Sequence, residues 1–226
     1  MRRAANASAL ALALALVACS APGPTSTLGG CPTAAPTANE AAGILADAQR
    51  AVVATNHGSF TIRLDPQSAP IATANFVALA RCGFYEQISF HRVLAGFVAQ
   101  AGDPGTRSNH GDFQALGTGG PGYQFEVEFP AGDQSYEQYT VAMANSMQYD
   151  AASGEITGGT DTNGSQFFID LQSLSGRLRL YYSIIGQVTD GTDVVDAIGA
   201  VAVDDPSHGL PLEAVIIQSV TIESDS

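Results

Sequence analysis

The chain has 226 residues, 45% of them hydrophobic, enough for one sizeable domain with appendages. All nine basic residues are Arg, set against 22 acidic ones for a formal charge of −13, so no basic stripe is left for a phosphate backbone and nucleic acid is excluded as a partner. With no Lys anywhere, Schiff-base chemistry and P-loop lysines are excluded as well.

Arg2 and Arg3 precede an apolar run from Ala9 to Ala18, too short to cross a bilayer but the length of a signal-peptide apolar region. Residues 1–18 read as a signal peptide. The run ends Leu16-Val17-Ala18-Cys19, which resembles the bacterial lipobox and implies cleavage before Cys19 and its lipidation; a plain secretory signal with an incidental Cys19 is the alternative. Losing residues 1–18 removes two Arg and no acid, taking the charge from −13 to −15. Attraction to anionic lipid would not help such a chain, so membrane contact is expected through the lipid anchor only, at the outer face of the bacterial cytoplasmic membrane.

Residues 20 to about 49 are rich in Ala, Pro, Thr, Gly and Ser with little apolar periodicity, as in a flexible tether. The expected organisation is a signal peptide 1–18, a lipid-anchored tether 19–49 and a domain 50–226. Cys31 lies in the tether and Cys82 in the domain; both meet an oxidising compartment after export. Either they bridge, or they stay as two free thiols, one of them buried.

Val52–Thr55, a turn at Asn56–Ser59 and Phe60–Leu64 read as an opening hairpin, with Phe60, Ile62 and Leu64 on one face. Ser68 before Pro70 marks a helix start, and Ile71, Asn75, Phe76, Leu79 and Cys82 recur at helical spacing until Gly83 ends it. From Phe90 to Asp103 two apolar runs flank Ala95-Gly96, again a hairpin. Alternation puts Ile88, Phe90 and Arg92 on one face of its first strand, and Val98 and Gln100 together on its second. Arg92 and Gln100 could then be cross-strand neighbours, the amide oxygen holding one edge of the guanidinium fork. An Arg that merely caps a barrel rim fits this segment equally well.

Gly117–Gly122 lacks the Lys and the strand-to-helix context of a phosphate loop, and reads as a structural or peptide-facing turn. Further strands are expected at Phe125–Phe129, Thr140–Ala144 and Gln166–Ile169, the last preceded by the turn pair Asn163-Gly164. Ser183–Val188 reads as a strand, Asp193–Ile198 as a short helix and Ala214–Ile222 as a closing strand. Many strands and two helices suggest a closed barrel with caps. No Gly-x-Ser-x-Gly occurs, the four histidines show no short ligand spacing, and His91 reads as structural rather than as a base.

Phe90-His91-Arg92-Val93, Phe97, Gln100-Ala101-Gly102-Asp103, Gly117-Thr118-Gly119-Gly120, Met143-Ala144-Asn145 and Asn163 through Ile169 together resemble the cyclophilins, over about residues 50–224 and closest to bacterial single-domain members. The resemblance implies a mainly β fold, a closed eight-stranded antiparallel barrel capped by two helices. It also implies peptidyl-prolyl cis–trans isomerase activity in a groove on the outer barrel surface. Proline-containing segments of exported proteins would be the substrates, and their folding outside the cytoplasm the role. A non-catalytic peptide-binding or chaperone-like module is the alternative, and a monomer is expected.

Rotation about an Xaa-Pro bond makes and breaks no covalent bond, so neither cofactor nor metal is expected. As the bond twists, the proline nitrogen turns pyramidal and regains a lone pair, and a donor aimed there is worth more in the twisted state. The resemblance gives that role to Arg92, with Gln100 orienting it, Asn145 gripping the peptide through its main chain and Gln166 on the same wall. It assigns Phe97, Val98, Phe168 and Leu178 to the proline slot, with Ala144 and Tyr182 also in contact with substrate. Ordinary core packing is the simpler account of Phe97 and Phe168 when the resemblance is set aside. Arg177 stands where many eukaryotic members have Trp, which implies weak cyclosporin binding. Extra residues between Asn145 and Thr162 border the groove.

Overall fold

A computed structural model of the chain describes residues 30–107 and 116–224; the stretch expected to be a signal peptide, Cys19 and His110 lie outside them. The elements run α1 (Ala38–Leu45), β1 (Arg50–Thr55), β2 (Gly58–Leu64), α2 (Pro70–Arg81), β3 (Ser89–Phe90), β4 (Arg92–Val93) and β5 (Val98–Ala101). A 3-10 turn (Pro104–Arg107) then leads towards β6 (Thr140–Met143), β7 (Gln148–Tyr149), β8 (Ile156–Gly158), β9 (Phe167–Asp170), β10 (Ile184–Asp190), α3 (Thr192–Gly199) and β11 (Val215–Glu223).

Among the described residues, nine strands form one antiparallel sheet in the order β3-β11-β1-β2-β10-β6-β9-β5-β4. Only His91 separates β3 from β4, so the two ends of that order are halves of one interrupted strand. Its first half pairs with β11 and its second with β5, which brings the sheet round into a barrel. The count is nine rather than the expected eight because the chain changes partners at His91.

Phe60, Ile62, Phe90, Phe167 and Ile169 fill the interior, and Phe76 and Leu79 of α2 pack against them to close one end. Ser68 does not cap α2: Ala69 holds that position without a side-chain bond, and the Ser68 hydroxyl donates to Asp65 instead. The Glu128 carboxylate, from a distant segment, accepts from the N–H groups of Ile71 and Ala72 at 3.1 and 2.8 Å, satisfying donors that a helix start leaves open. The expected strand at Phe125–Phe129 is absent. Phe125 forms a single bridge with Asn163, and the next N–H groups go to the Thr160 carbonyl and the Ser183 hydroxyl rather than to a neighbouring strand.

The folded unit also begins before residue 50. Within the segment expected to be a flexible tether, α1 starts on a capping box made by Thr37 and Glu40, and Ile44 and Leu45 pack against the core. Arg81 of α2 donates to the Ile44 carbonyl at 2.8 Å and pairs with Asp47 at 2.6 Å. Short length and an Ala-rich composition hide this helix from a periodicity argument, because tertiary contacts supply what its sequence does not. Cys31 and Cys82 are joined in a disulfide that fastens this segment to the end of α2. Reduction is expected to cost ~2–4 kcal/mol of stability and to speed amide exchange at residues 38–45. Denaturation with and without reductant, followed by exchange mass spectrometry, checks this; unchanged protection of 38–45 contradicts it.

Candidate active site

The site sits on the outer face of the β4, β5, β9 and β6 quarter of the barrel, where side-chain alternation divides two clusters. Ala99, Ala101, Phe167 and Ile169 point into the core. Val98, Phe168 and Ala142 point outward into a second apolar cluster with Tyr136, Leu174 and Ile184, against which Phe97, Ala144, Leu178, Leu180 and Tyr182 pack. The rings of Phe168 and Tyr182 meet edge to face at 5.2 Å.

Arg92 reaches this face through the break at His91. Phe90 and Val93 both face the core, an odd spacing of three, so Ile88, Phe90 and Arg92 do not share a face as simple alternation predicts. The slip turns Arg92 outward, half-buried, with its guanidinium carbon 5.9 Å from the centroid of Phe97. That is a cation–π distance. Burial pulls its pKa down and the nearby Tyr182 phenol opposes that pull; a guanidinium keeps its charge regardless.

Arg92 pairs with Gln100 across β4 and β5, as expected, but no hydrogen bond joins their side chains among the described residues. The Gln100 amide donates to Gln166 Oε1 at 2.9 Å, and the Gln166 amide donates to the Gly119 carbonyl at 2.8 Å. Behind them the buried Asp103 carboxylate accepts from the N–H groups of Gly105, Gly117 and Gly119 at 2.7, 2.6 and 3.1 Å. The Gly-rich stretch is thus a turn wound around Asp103, and Gly119 admits no Cβ because Asp103 fills that space. Gln100, Gln166, Gly117 and Gly119 border a cavity of about 590 Å³ that also touches Ala144 and Asn145.

The Asn145 amide donates to the Tyr181 carbonyl at 2.8 Å and its oxygen accepts from Met147 N–H at 3.0 Å. Its side chain is therefore spent on holding loops, which leaves the main chain to meet a ligand. His91 is buried and neutral, its pKa pushed down to about 4 by burial, against the opposing pull of Asp103.

Every site residue expected from the sequence within the described chain comes to this one face. Tyr136 was not foreseen: its hydroxyl donates to the Tyr182 carbonyl at 3.0 Å and accepts from the Tyr182 N–H at 2.9 Å, fixing the wall that carries Tyr182. It lies in an aperiodic loop, and no local pattern marks it. Asp170 was not foreseen either. It is fully buried on β9, opposite Val98 and two residues from Phe168, with neither carboxyl oxygen hydrogen-bonded among the described residues, and burial raises its pKa to about 8.

The family model described as "Cyclophilin type peptidyl-prolyl cis-trans isomerase/CLD" matches residues 50–222. A peptidyl-prolyl cis-trans isomerase of Helicobacter pylori is 37% identical over 159 residues, covering 68% of this chain and 82% of that protein. Peptidyl-prolyl cis-trans isomerase B of Streptomyces anulatus is 35% identical over 198 residues, covering 80% and 99%. Among solved structures, a cyclophilin type isomerase of Cryptosporidium parvum superposes with a TM-score of 0.64 at 30% identity, covering 79% of this chain and 99% of that one. The same protein in the presence of the dipeptide Ala-Pro gives 0.62, at 30% identity over 78% and 100%.

Proposed function

The chain belongs to the cyclophilin-type peptidyl-prolyl cis–trans isomerases, and from that premise we propose that it turns Xaa-Pro bonds in exported proteins, as a lipid-anchored monomer outside the cytoplasm. The observation that carries the site assignment is the Arg92 guanidinium over Phe97, beside an apolar slot walled by Val98, Phe168 and Leu178. A proline ring enters the slot, and Asn145 holds the peptide through its main chain. Arg92 then donates to the proline nitrogen as resonance is lost. Gln100 and Gln166 brace the opposite side. The Ala-Pro dipeptide named with the Cryptosporidium parvum protein supports a proline-bearing ligand for this groove. Arg177 at the rim supports weak cyclosporin binding.

The location rests on the leader and on Cys19. Produced in a bacterial host with its leader intact, the chain is expected in the membrane fraction with lipid mass on an N-terminal Cys19. The Cys19→Ser chain is expected to be released in soluble form with isomerase activity kept. Recovery of a soluble cytoplasmic protein with an uncleaved leader contradicts the proposal.

A further inference from the structure

A second cavity, of about 630 Å³, lies against the slot and is lined in part by Tyr136, Ser175, Arg177, Leu178, Arg179 and Tyr181. Leu178 belongs both to this cavity and to the apolar cluster around Phe168, so the two hollows share a wall. A polypeptide whose proline sat in the slot would have this second cavity beside it.

The charge there is opposite to that of the protein. Against 22 acids the chain has only nine Arg, and Arg50 and Arg81 sit against Glu223 and Asp47. Arg177 and Arg179 are exposed, two positions apart in the chain, and form no ion pair among the described residues. Glu137, which accepts from the rim hydroxyl of Ser135, is tied as well to Ser173.

Arg179 is held in place by the extra segment that follows Asn145. Its guanidinium carbon lies 5.6 Å from the ring centroid of Tyr149. On the other side it rests on Gly154, whose φ of +75° and missing Cβ leave the room it occupies. Tyr181 closes the arrangement by donating its hydroxyl to the Gly154 carbonyl at 2.5 Å and packing on Tyr149 at 5.3 Å. The hairpin of β7 and β8 is therefore a support for this cation.

We propose that Arg177 and Arg179 form a second subsite that takes a carboxylate side chain carried by the substrate within a few residues of its proline. This rests on the isomerase reading of the groove and adds a sequence preference to it. A carboxylate suits two guanidinium forks, and the acidic remainder of the surface repels it elsewhere, which directs such a segment to this end of the groove.

The test uses Xaa-Pro peptides with Glu, Gln or Lys at each of the few positions on either side of the proline, measuring both kcat/KM and Kd. Glu over Gln is expected to gain roughly 3–10-fold at low salt, on one side of the proline only, and to lose that gain as salt rises. The Arg177→Gln/Arg179→Gln chain is expected to abolish the Glu-to-Gln ratio, Arg177→Glu/Arg179→Glu to invert it towards Lys, and Tyr149→Ala to reduce it. Arg177→Gln alone, at an exposed position, serves if the double variants do not fold. Equal values for Glu and Gln, or a ratio that survives these substitutions, overturn the subsite. Absence of turnover with an Arg-dependent Glu-to-Gln ratio in Kd would overturn the isomerase reading and leave the subsite standing.

Discussion

Replacing Arg92 with alanine is expected to lower kcat/KM towards a proline peptide by roughly 10²–10³-fold, the scale of losing one donor aimed at charge that develops in the transition state. The loss should fall on kcat, with Kd for the peptide changing far less, because the slot of Phe97, Phe168 and Leu178 stays intact. Arg92→Lys should recover little: a compact ammonium cannot reproduce a planar fork set over the Phe97 ring. The fold should survive both changes, since Arg92 is half-buried on the outer face and not part of the core. Steady-state kinetics beside a thermal melt checks the split. A variant with unchanged kcat, or one whose whole loss is in Kd, would move the catalytic donor away from Arg92.

Stability is expected to fall between pH 6.5 and 8, and Asp170→Asn to abolish the fall. Burial raises Asp170 from an ordinary 3.8 to about 8, so across that range the folded chain holds a proton that the unfolded chain has lost. Stability from this group therefore declines with rising pH until about 8. His91 acts in the opposite direction. Its pKa is pushed from 6.5 down to about 4, so its contribution is complete above 6.5 and is lost as pH falls towards 4. Below 6.5 the two slopes offset one another; above 6.5 that of Asp170 stands alone, ~2 kcal/mol in all at ~1.4 kcal/mol per pH unit. In Asp170→Asn only the His91 slope is left, so stability should rise to pH 6.5 and then level off. Chemical denaturation from pH 5 to 9 reads the slope whatever the variant's absolute stability. A decline of equal size in both chains would contradict the assignment. The same ionisation places charge behind Val98 and Phe168, linking pH to the wall of the slot.

The fold was legible where local pattern and tertiary role agree. The β1–β2 hairpin, the α2 stripe, β9 after Asn163-Gly164 and the closing β11 all follow from alternation or helical spacing. Three features were not, each for a physical reason. The helix α1 has a local start signal in the Thr37 and Glu40 capping box, but at eight residues it is too short to show a periodic stripe, and it leans on α2 and the disulfide. The Phe125–Phe129 segment alternates like a strand, yet its backbone groups bond a loop carbonyl and a side chain. The slip at His91 breaks the alternation that the first strand of the hairpin would otherwise keep, and it is this irregularity that turns Arg92 to the outer face.

The site was legible as a set of residues and less so as a network. Arg92 opposite Gln100 follows from hairpin register. That the Gln100 amide turns to Gln166, and Gln166 to Gly119, requires knowing where β9 and the Gly-rich turn meet. Asp170 and Tyr136 act through burial beneath the slot, which no short motif encodes.

Exchange NMR on a proline peptide held in the groove tests the central claim most directly, since it separates holding the peptide from turning it. The wild-type chain should interconvert the bound cis and trans forms far faster than the uncatalysed tens to hundreds of seconds. The Arg92→Ala chain should bind the same peptide at the same residues while the two forms exchange close to the uncatalysed rate. Wild-type exchange in Arg92→Ala would contradict the account.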